Sequence, residues 1–168
     1  MKKLLLLLAS TIFLFSCNSD DDSTPSAEGT WKLTTFTINE AADINNDGNA
    51  TTNFITETGC YNNSNLILSS NSVANFRLEE LDIQLDLVAG TTDQYEYTVD
   101  CLPAEDYLGT WTQNNNSVAI IIDGETENFS LNGNVLSKSF PEFVEIQVNV
   151  NGVIEYRTVG ATLVFTKQ

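Results

Sequence analysis

One polar segment carries oxygen-bearing side chains at a spacing that suits a cation. Residues 43–48 read Asp-Ile-Asn-Asn-Asp-Gly, which matches the front half of a D-x-N-x-D-G calcium loop. Side-chain oxygens at alternate positions converge in such a loop, and the glycine permits its sharp turn. The predicted Ca²⁺ ligands are Asp43, Asn45, Asp47, the carbonyl group of Asn49, and Glu57.

A metal-free loop is the alternative for this segment. Calcium loops of this type usually carry glutamate at position twelve, but here that residue is Phe54. Glu57 lies three residues later and can bind the ion only if the chain leaves the loop by a different path. Asn, Asp and Gly also form turns without any metal. A bound ion would have a structural role, because it would neutralise carboxylates and fix a long loop.

The chain has no histidine, and this limits its catalytic chemistry. Ser-His-Asp and Cys-His nucleophile systems both depend on an imidazole base. Paired carboxylates of the glycosidase kind need no histidine, but no spacing of Asp and Glu singles out such a pair. We therefore expect that the protein is not an enzyme.

The N-terminus has the organisation of a bacterial export signal. Two lysines precede an apolar run at residues 4–15, which is shorter than the about 20 residues of a membrane-spanning helix. Leu14, Ser16 and Cys17 resemble the −3, −1 and +1 positions of a lipobox. The resemblance implies that residues 1–16 are a signal peptide and that acylated Cys17 holds the protein on a lipid bilayer. An ordinary secretory signal is the alternative.

A polar, acidic segment follows the cysteine. Residues 17–27 are predicted to be a flexible tether, because they offer almost no apolar side chain to bury. Three aspartates at residues 20–22 resemble the surface-export signal of Bacteroidetes lipoproteins. This resemblance implies an outer-membrane protein exposed at the cell surface, whereas the alternative is a solvated linker that happens to be acidic.

Acidic residues greatly outnumber basic residues in the rest of the chain. Without the signal peptide the chain has five basic and 23 acidic residues, which gives a formal net charge of −18. Such a charge argues against nucleic acid as a partner and is compatible with cation binding or with solubility. The remaining 152 residues have the length of one domain.

Two cysteines remain besides Cys17. An exported protein meets an oxidising compartment, in which thiols pair. We therefore predict a disulfide between Cys60 and Cys101, which would close a loop of about 40 residues. The alternative is two free thiols, and two cysteines without histidine make a poor zinc site.

From Gly29 onward the hydrophobic pattern has a period of two, which predicts β-strands. The alternation is clearest at residues 81–87 and 144–150, and Asn-Gly dipeptides such as 132–133 are typical of hairpin turns. No segment has a convincing helical period. We predict an all-β fold, an antiparallel up-and-down barrel of about 8–10 short strands, with a β-sandwich as the alternative.

Two motifs resemble those of lipocalins. Residues 29–31 read Gly-Thr-Trp, and lipocalins carry a Gly-x-Trp on the first strand, where the Trp plugs the closed end of the barrel. Residues 162–167 would form the last strand and close on the first. Residues 28–168 therefore look like the lipocalin-like domain of Bacteroidetes lipoproteins. The resemblance implies a structural role for Trp31 at one end of the barrel.

The same resemblance implies a non-enzymatic binding domain for a small apolar ligand. Small barrels commonly fill their interior with side chains, so carriage of a drug-sized ligand requires a cavity of roughly 300 Å³ or more. The alternative is a structural or interaction module that contacts another protein of the cell envelope and contains a calcium-stabilised loop. We expect no nucleic-acid partner.

Overall fold

A computed structural model describes residues 25–168, and the predicted signal peptide, Cys17 and the aspartate cluster lie outside them. The described chain is almost entirely β-structure. The elements are β1 Gly29–Ala42, β2 Thr51–Asn53, α1 Phe54–Thr58, β3 Asn65–Leu68, β4 Val73–Leu87, β5 Tyr95–Asn114, β6 Ser117–Ile122, β7 Glu125–Asn132, β8 Val135–Val150 and β9 Val153–Lys167. None of these described residues belongs to a helix that is long and apolar enough to span a membrane. The all-β prediction is confirmed.

Eight of the strands form a closed antiparallel barrel. Strands β1 and β3 to β9 pair in chain order, and β9 then pairs with β1 from Trp31↔Lys167 to Ile38↔Ala161. The short strand β2 pairs with the second half of β1. Closure leaves no free edge where the first and last strands meet, and it distinguishes a barrel from a sandwich. The predicted pairing of the last strand with the first is confirmed.

Two bulges make the strands longer than the sequence pattern predicts. Strand β4 continues through an irregularity between Leu78 and Glu80, and β8 continues through another between Phe140 and Val144. An extra residue in a bulge shifts the apolar face by one position. A search for strict alternation therefore interprets one bulged strand as two separate strands. The hydrophobic pattern predicts separate strands at residues 73–78 and 135–140, and these predicted ends are wrong, because the chain remains paired beyond both.

Apolar side chains fill much of the barrel. The buried set includes Trp31, Leu33, Leu66, Leu68, Ala74, Val118, Ile120, Phe129, Leu131, Leu136, Leu163 and Phe165. The Trp31 side chain is fully buried, and its indole N–H donates to the carbonyl oxygen of Ala27 at 2.8 Å. This contact holds the chain that precedes β1 against the barrel and agrees with a packing role for the tryptophan.

The β6–β7 hairpin is shorter than the strands on either side of it, so the barrel wall is incomplete at this position. Strand β5 pairs with β6 only at residues 109–114, and β8 pairs with β7 only at residues 135–137. The ends of β4 and β5 that lie farthest from β6 form one long hairpin, the β4–β5 arm (residues 79–102). The ends of β8 and β9 that lie farthest from β7 form a second long hairpin, the β8–β9 arm (residues 141–159).

The two arms contact each other beyond the short hairpin. The hydroxyl group of Tyr97 donates to the backbone oxygen of Gln147 at 2.7 Å. The backbone N–H of Leu85 donates to Oε1 of the same glutamine at 2.9 Å. These bonds join β4 and β5 to β8, so the arms frame an opening above β6 and β7.

Candidate functional site

A small apolar cavity lies where β7 and β8 separate, and it has a volume of about 190 Å³. Its walls come from four strands, β4, β6, β7 and β8. The lining residues are Phe76, Ile120, Ile122, Glu127, Phe129, Phe140 and Phe143. Alternate residues of a strand share one face, so the inward faces of β6 and β7 supply two residues each.

The bulge in β8 brings two aromatic rings to the same side of the strand. Phe140 and Phe143 are three residues apart, a spacing that would place them on opposite faces of a regular strand. In this structure their rings stack, with centroids 4.5 Å apart and an interplanar angle of 27°. The irregular register between Phe140 and Val144 thus provides the cavity with an aromatic wall.

An ion pair crosses the gap between β7 and β8. Lys138 lies between Leu136 and Phe140 on the inner face of β8, and its Nζ lies 3.0 Å from Oε2 of Glu127. The same Nζ lies 5.3 Å from the ring centroid of Phe140, within the range of a cation–π interaction. A positive charge therefore already lies against one aromatic wall of the cavity.

A larger, polar cleft of about 700 Å³ adjoins the cavity. Phe143 lines both spaces, so they adjoin at this residue. The carboxylates that line the cleft are Glu79, Glu80, Asp82, Asp86 and Glu145. In the described part of the chain no lysine or arginine lines it. The cleft is therefore a region of negative potential beside an apolar cavity.

Carboxylates of this cleft perturb two tyrosines. The Tyr107 hydroxyl group donates to Oε1 of Glu80 at 2.6 Å, and this hydrogen bond, with burial as a second cause, raises the pKa of Tyr107 to about 12. Burial, followed by the negative charges of Glu80 and Glu79, raises the pKa of Tyr61 above its ordinary value. Both phenols are therefore neutral at physiological pH.

The first predicted calcium ligands belong to one closed turn. The Asp43 carboxylate accepts the backbone N–H of Asp47 at 3.0 Å and that of Gly48 at 2.9 Å. Oδ1 of Asn45 also accepts the N–H of Asp47, and Oδ1 of Asp47 accepts the N–H of Asn49 at 2.8 Å. Side chains of this kind close turns by accepting hydrogen bonds from backbone two or more residues later.

Glu57 has a different set of partners from the one that the calcium hypothesis assigns to it. Its carboxylate accepts the N–H groups of Ile44 at 3.0 Å and Asn45 at 3.4 Å, and the hydroxyl group of Thr51 at 2.7 Å. The residue is only 2% exposed. Within residues 25–168 no three Asp, Glu, Cys or His side chains are placed to hold a metal ion. Calcium binding stays a prediction.

This role of Glu57 was not foreseen from the sequence. Glu57 lies three residues after Phe54 on α1, so both side chains share one face of this single-turn helix, and both are buried. The sequence did contain one indication of this role. Glu57 follows the apolar residue Phe54 by three positions, which is the spacing that places both side chains on the buried face of a short helix. The Glu57 carboxylate accepts hydrogen bonds from both the start of the loop, at Ile44, and its end, at Thr51.

The predicted disulfide is confirmed. Cys60 and Cys101 are bonded, with their Cα atoms 5.5 Å apart. Cys60 is buried just after α1, whereas Cys101 lies on the β4–β5 arm. The bond therefore joins the segment that carries the acidic loop to the arm that frames the cleft.

No family model, curated protein or solved structure matches this chain. The likeness to lipocalins is therefore one of architecture, a closed antiparallel barrel of eight strands, together with the Gly-x-Trp on β1.

Proposed function

We propose that this chain is a lipoprotein of the outer membrane, exposed at the cell surface, whose lipocalin-like barrel is a non-enzymatic binding domain for a small apolar ligand. The observation that carries the binding proposal is the cavity of about 190 Å³, whose lining is apolar except for Glu127. Closed barrels give such a cavity rigid walls.

The volume of the cavity limits the ligand. Drug-sized ligands occupy pockets of about 300–1,000 Å³. An apolar cavity of about 150 Å³ is enough to bind benzene. The apolar part of the ligand is therefore the size of one aromatic ring or a short alkyl chain.

Binding of a benzene-sized probe tests this function. Residues 18–168, which contain every strand of the structure, should bind toluene in ligand-observed NMR, because its ring fits an apolar cavity of this volume. Ile122→Trp fills the cavity and should abolish binding. Ile121→Trp is the matched control, because Ile121 is the adjacent residue and is 38% exposed. No binding to the wild type, or equal binding to Ile122→Trp, would contradict the proposal.

The membrane anchor rests on the lipobox-like residues and on Cys17, which lie outside the described part of the chain. Cys17→Ser should move the protein from the membrane fraction to the soluble fraction and abolish labelling with radioactive palmitate, since the thiol would be the site of acylation. Replacement of the three aspartates at residues 20–22 by alanine should preserve labelling but protect the protein from protease added to whole cells. Retained surface exposure in that variant would refute the export role of the aspartates.

A second candidate is an interaction module of the cell envelope with a calcium-stabilised loop. The closed turn at residues 43–49 favours it, because three oxygen-bearing side chains belong to that turn. Calorimetric titration with Ca²⁺ should then give saturable heat and a raised melting temperature, both lost in Asp43→Ala/Asp47→Ala. The absence of heat at millimolar Ca²⁺ would contradict calcium binding and would show that the loop is stabilised by its own hydrogen bonds.

A further inference from the structure

We propose that the ligand of the apolar cavity is a small organic cation, an ammonium group on a short apolar or aromatic body. This inference rests on the proposed binding function of the cavity and specifies the chemical class of its ligand. Three features of the structure support a positive charge: the aromatic lining, the carboxylate in that lining, and the acidic cleft that adjoins the cavity.

The aromatic lining suits a cation. Four of the seven lining residues are phenylalanines, and the face of an aromatic ring attracts an ammonium group that lies within about 6 Å of its centroid. Lys138 demonstrates this geometry inside the protein, because its Nζ lies 5.3 Å from the centroid of Phe140. The aromatic wall of the cavity therefore already accepts a positive charge, that of Lys138.

Glu127 supplies the negative charge of the lining. Its ion pair with Lys138 uses Oε2, which leaves Oε1 of the carboxylate as a second acceptor. The Glu127 side chain is 43% exposed, so a ligand can reach it. An ammonium group on the ligand would pair with this carboxylate and compete with Lys138 for it.

The approach to the cavity also favours a cation. The polar cleft that meets the cavity at Phe143 is lined by five carboxylates. A cleft lined by charge of one sign raises the local concentration of the opposite ion and repels ions of its own sign. This acidic surface beside the cavity repels a carboxylate ligand and attracts an ammonium ligand.

Three probes that differ only in their polar group test the inference. Calorimetry of residues 18–168 with n-hexylammonium, 1-hexanol and hexanoate, at pH 7 and low ionic strength, compares a cation, a neutral group and an anion on one alkyl chain. We expect hexylammonium to bind about ten-fold more tightly than hexanol, and hexanoate to bind most weakly.

Two substitutions identify the groups that recognise the charge. Glu127→Gln should lower the affinity for hexylammonium to that for hexanol, because the carboxylate is lost. Lys138→Met should raise the affinity for hexylammonium several-fold, because it removes the competing cation. Glu40→Gln is the matched control, since Glu40 also pairs with a basic residue, Arg157, at 3.2 Å on an exposed surface. Its affinities should equal those of the wild type.

The outcomes separate this inference from the binding function on which it rests. Equal affinities for hexylammonium and hexanol would overturn the cation inference and leave apolar binding intact. Tightest binding of hexanoate, lost in Lys138→Met, would overturn it in favour of an anionic ligand. No binding of any of the three probes to a protein that binds toluene would overturn the inference alone, whereas failure of toluene as well would overturn the proposed binding function.

Discussion

Glu57 illustrates how one buried carboxylate can fix a polar loop. Glu57→Ala would leave the N–H of Ile44 and the hydroxyl group of Thr51 without their acceptor. A buried polar group left without a partner costs about 1–3 kcal/mol, so we expect the free energy of unfolding to fall by about 3 kcal/mol. Urea denaturation measures this change.

The exposed residue Glu28 provides the control for Glu57. Glu28→Ala should change the free energy of unfolding by less than about 0.5 kcal/mol, as exposed substitutions usually do. If both alanine variants unfold at the same urea concentration, Glu57 does not stabilise the loop in the way that its hydrogen bonds indicate.

Tyr107 gives a prediction about pH. Its pKa lies at about 12, above its ordinary value of 10, because its hydroxyl group donates to Glu80. A group whose pKa is higher in the folded protein stabilises the fold below pH 10, and this stabilisation is lost as the pH rises through 12. Glu80→Gln should therefore lower the pKa of Tyr107 towards 10, as measured by NMR of ¹³C-labelled tyrosine rings.

The matched control for Glu80 is a carboxylate on another strand. Glu125→Gln, at the exposed start of β7, should leave the titration of Tyr107 unchanged. A pKa of Tyr107 that stays near 12 in Glu80→Gln would show that the charged carboxylate is not the cause of the shift.

At the scale of the elements, the disulfide is the covalent tie between the acidic-loop segment and the β4–β5 arm. The two cysteines are 41 residues apart in sequence. Cross-linking a loop of this length stabilises a protein by about 4 kcal/mol when the effect is assigned to the entropy of the unfolded chain. Cys60→Ser/Cys101→Ser should therefore lower the free energy of unfolding by about that amount.

Guanidinium denaturation with and without a reducing agent checks this assignment. Reduction should destabilise the wild type to the level of the double variant and should leave the double variant unchanged. Equal midpoints for the oxidised wild type and the double variant would contradict a stabilising role for the bond.

The turns were predictable from local sequence and the barrel closure from the resemblance to lipocalins, whereas the strand lengths were not. Asp123-Gly124 and Asn151-Gly152 both have two successive positive φ angles, which is the hairpin geometry that these residue types favour. The bulge at residues 140–144 has no comparable local signal, because it depends on pairing with β9. A period-two pattern reports which residues share a face and does not report where the partner strand continues.

At the scale of the whole molecule, the cavity could not be predicted from the sequence. In the sequence, Glu127 and Lys138 resemble ordinary surface charges within strands of alternating polarity. Only the separation of β7 from β8 places them beside aromatic rings. The acidic loop, in contrast to the cavity, was partly predictable from the sequence. Its motif was visible in the sequence, but burial of Glu57 against the loop was a tertiary effect.

The opening also gives a prediction for the whole barrel. Insertion of one apolar and one polar residue on each side of Asp123-Gly124 would lengthen β6 and β7 and extend their pairing with β5 and β8. We expect the variant to fold with unchanged far-UV circular dichroism and to lose toluene binding, because the wall would cover the cavity. Unchanged toluene affinity in this variant would show that the probe enters elsewhere.

The short β6–β7 hairpin has a consequence for how such a barrel can diversify. Strands β6 and β7 have six and eight residues, while their neighbours β5 and β8 have 20 and 16. Loop tips tolerate insertions and deletions far better than packed cores do. A lineage that changes only the length of this turn could therefore acquire a new ligand size, or lose binding altogether, while every core residue of the barrel stays the same.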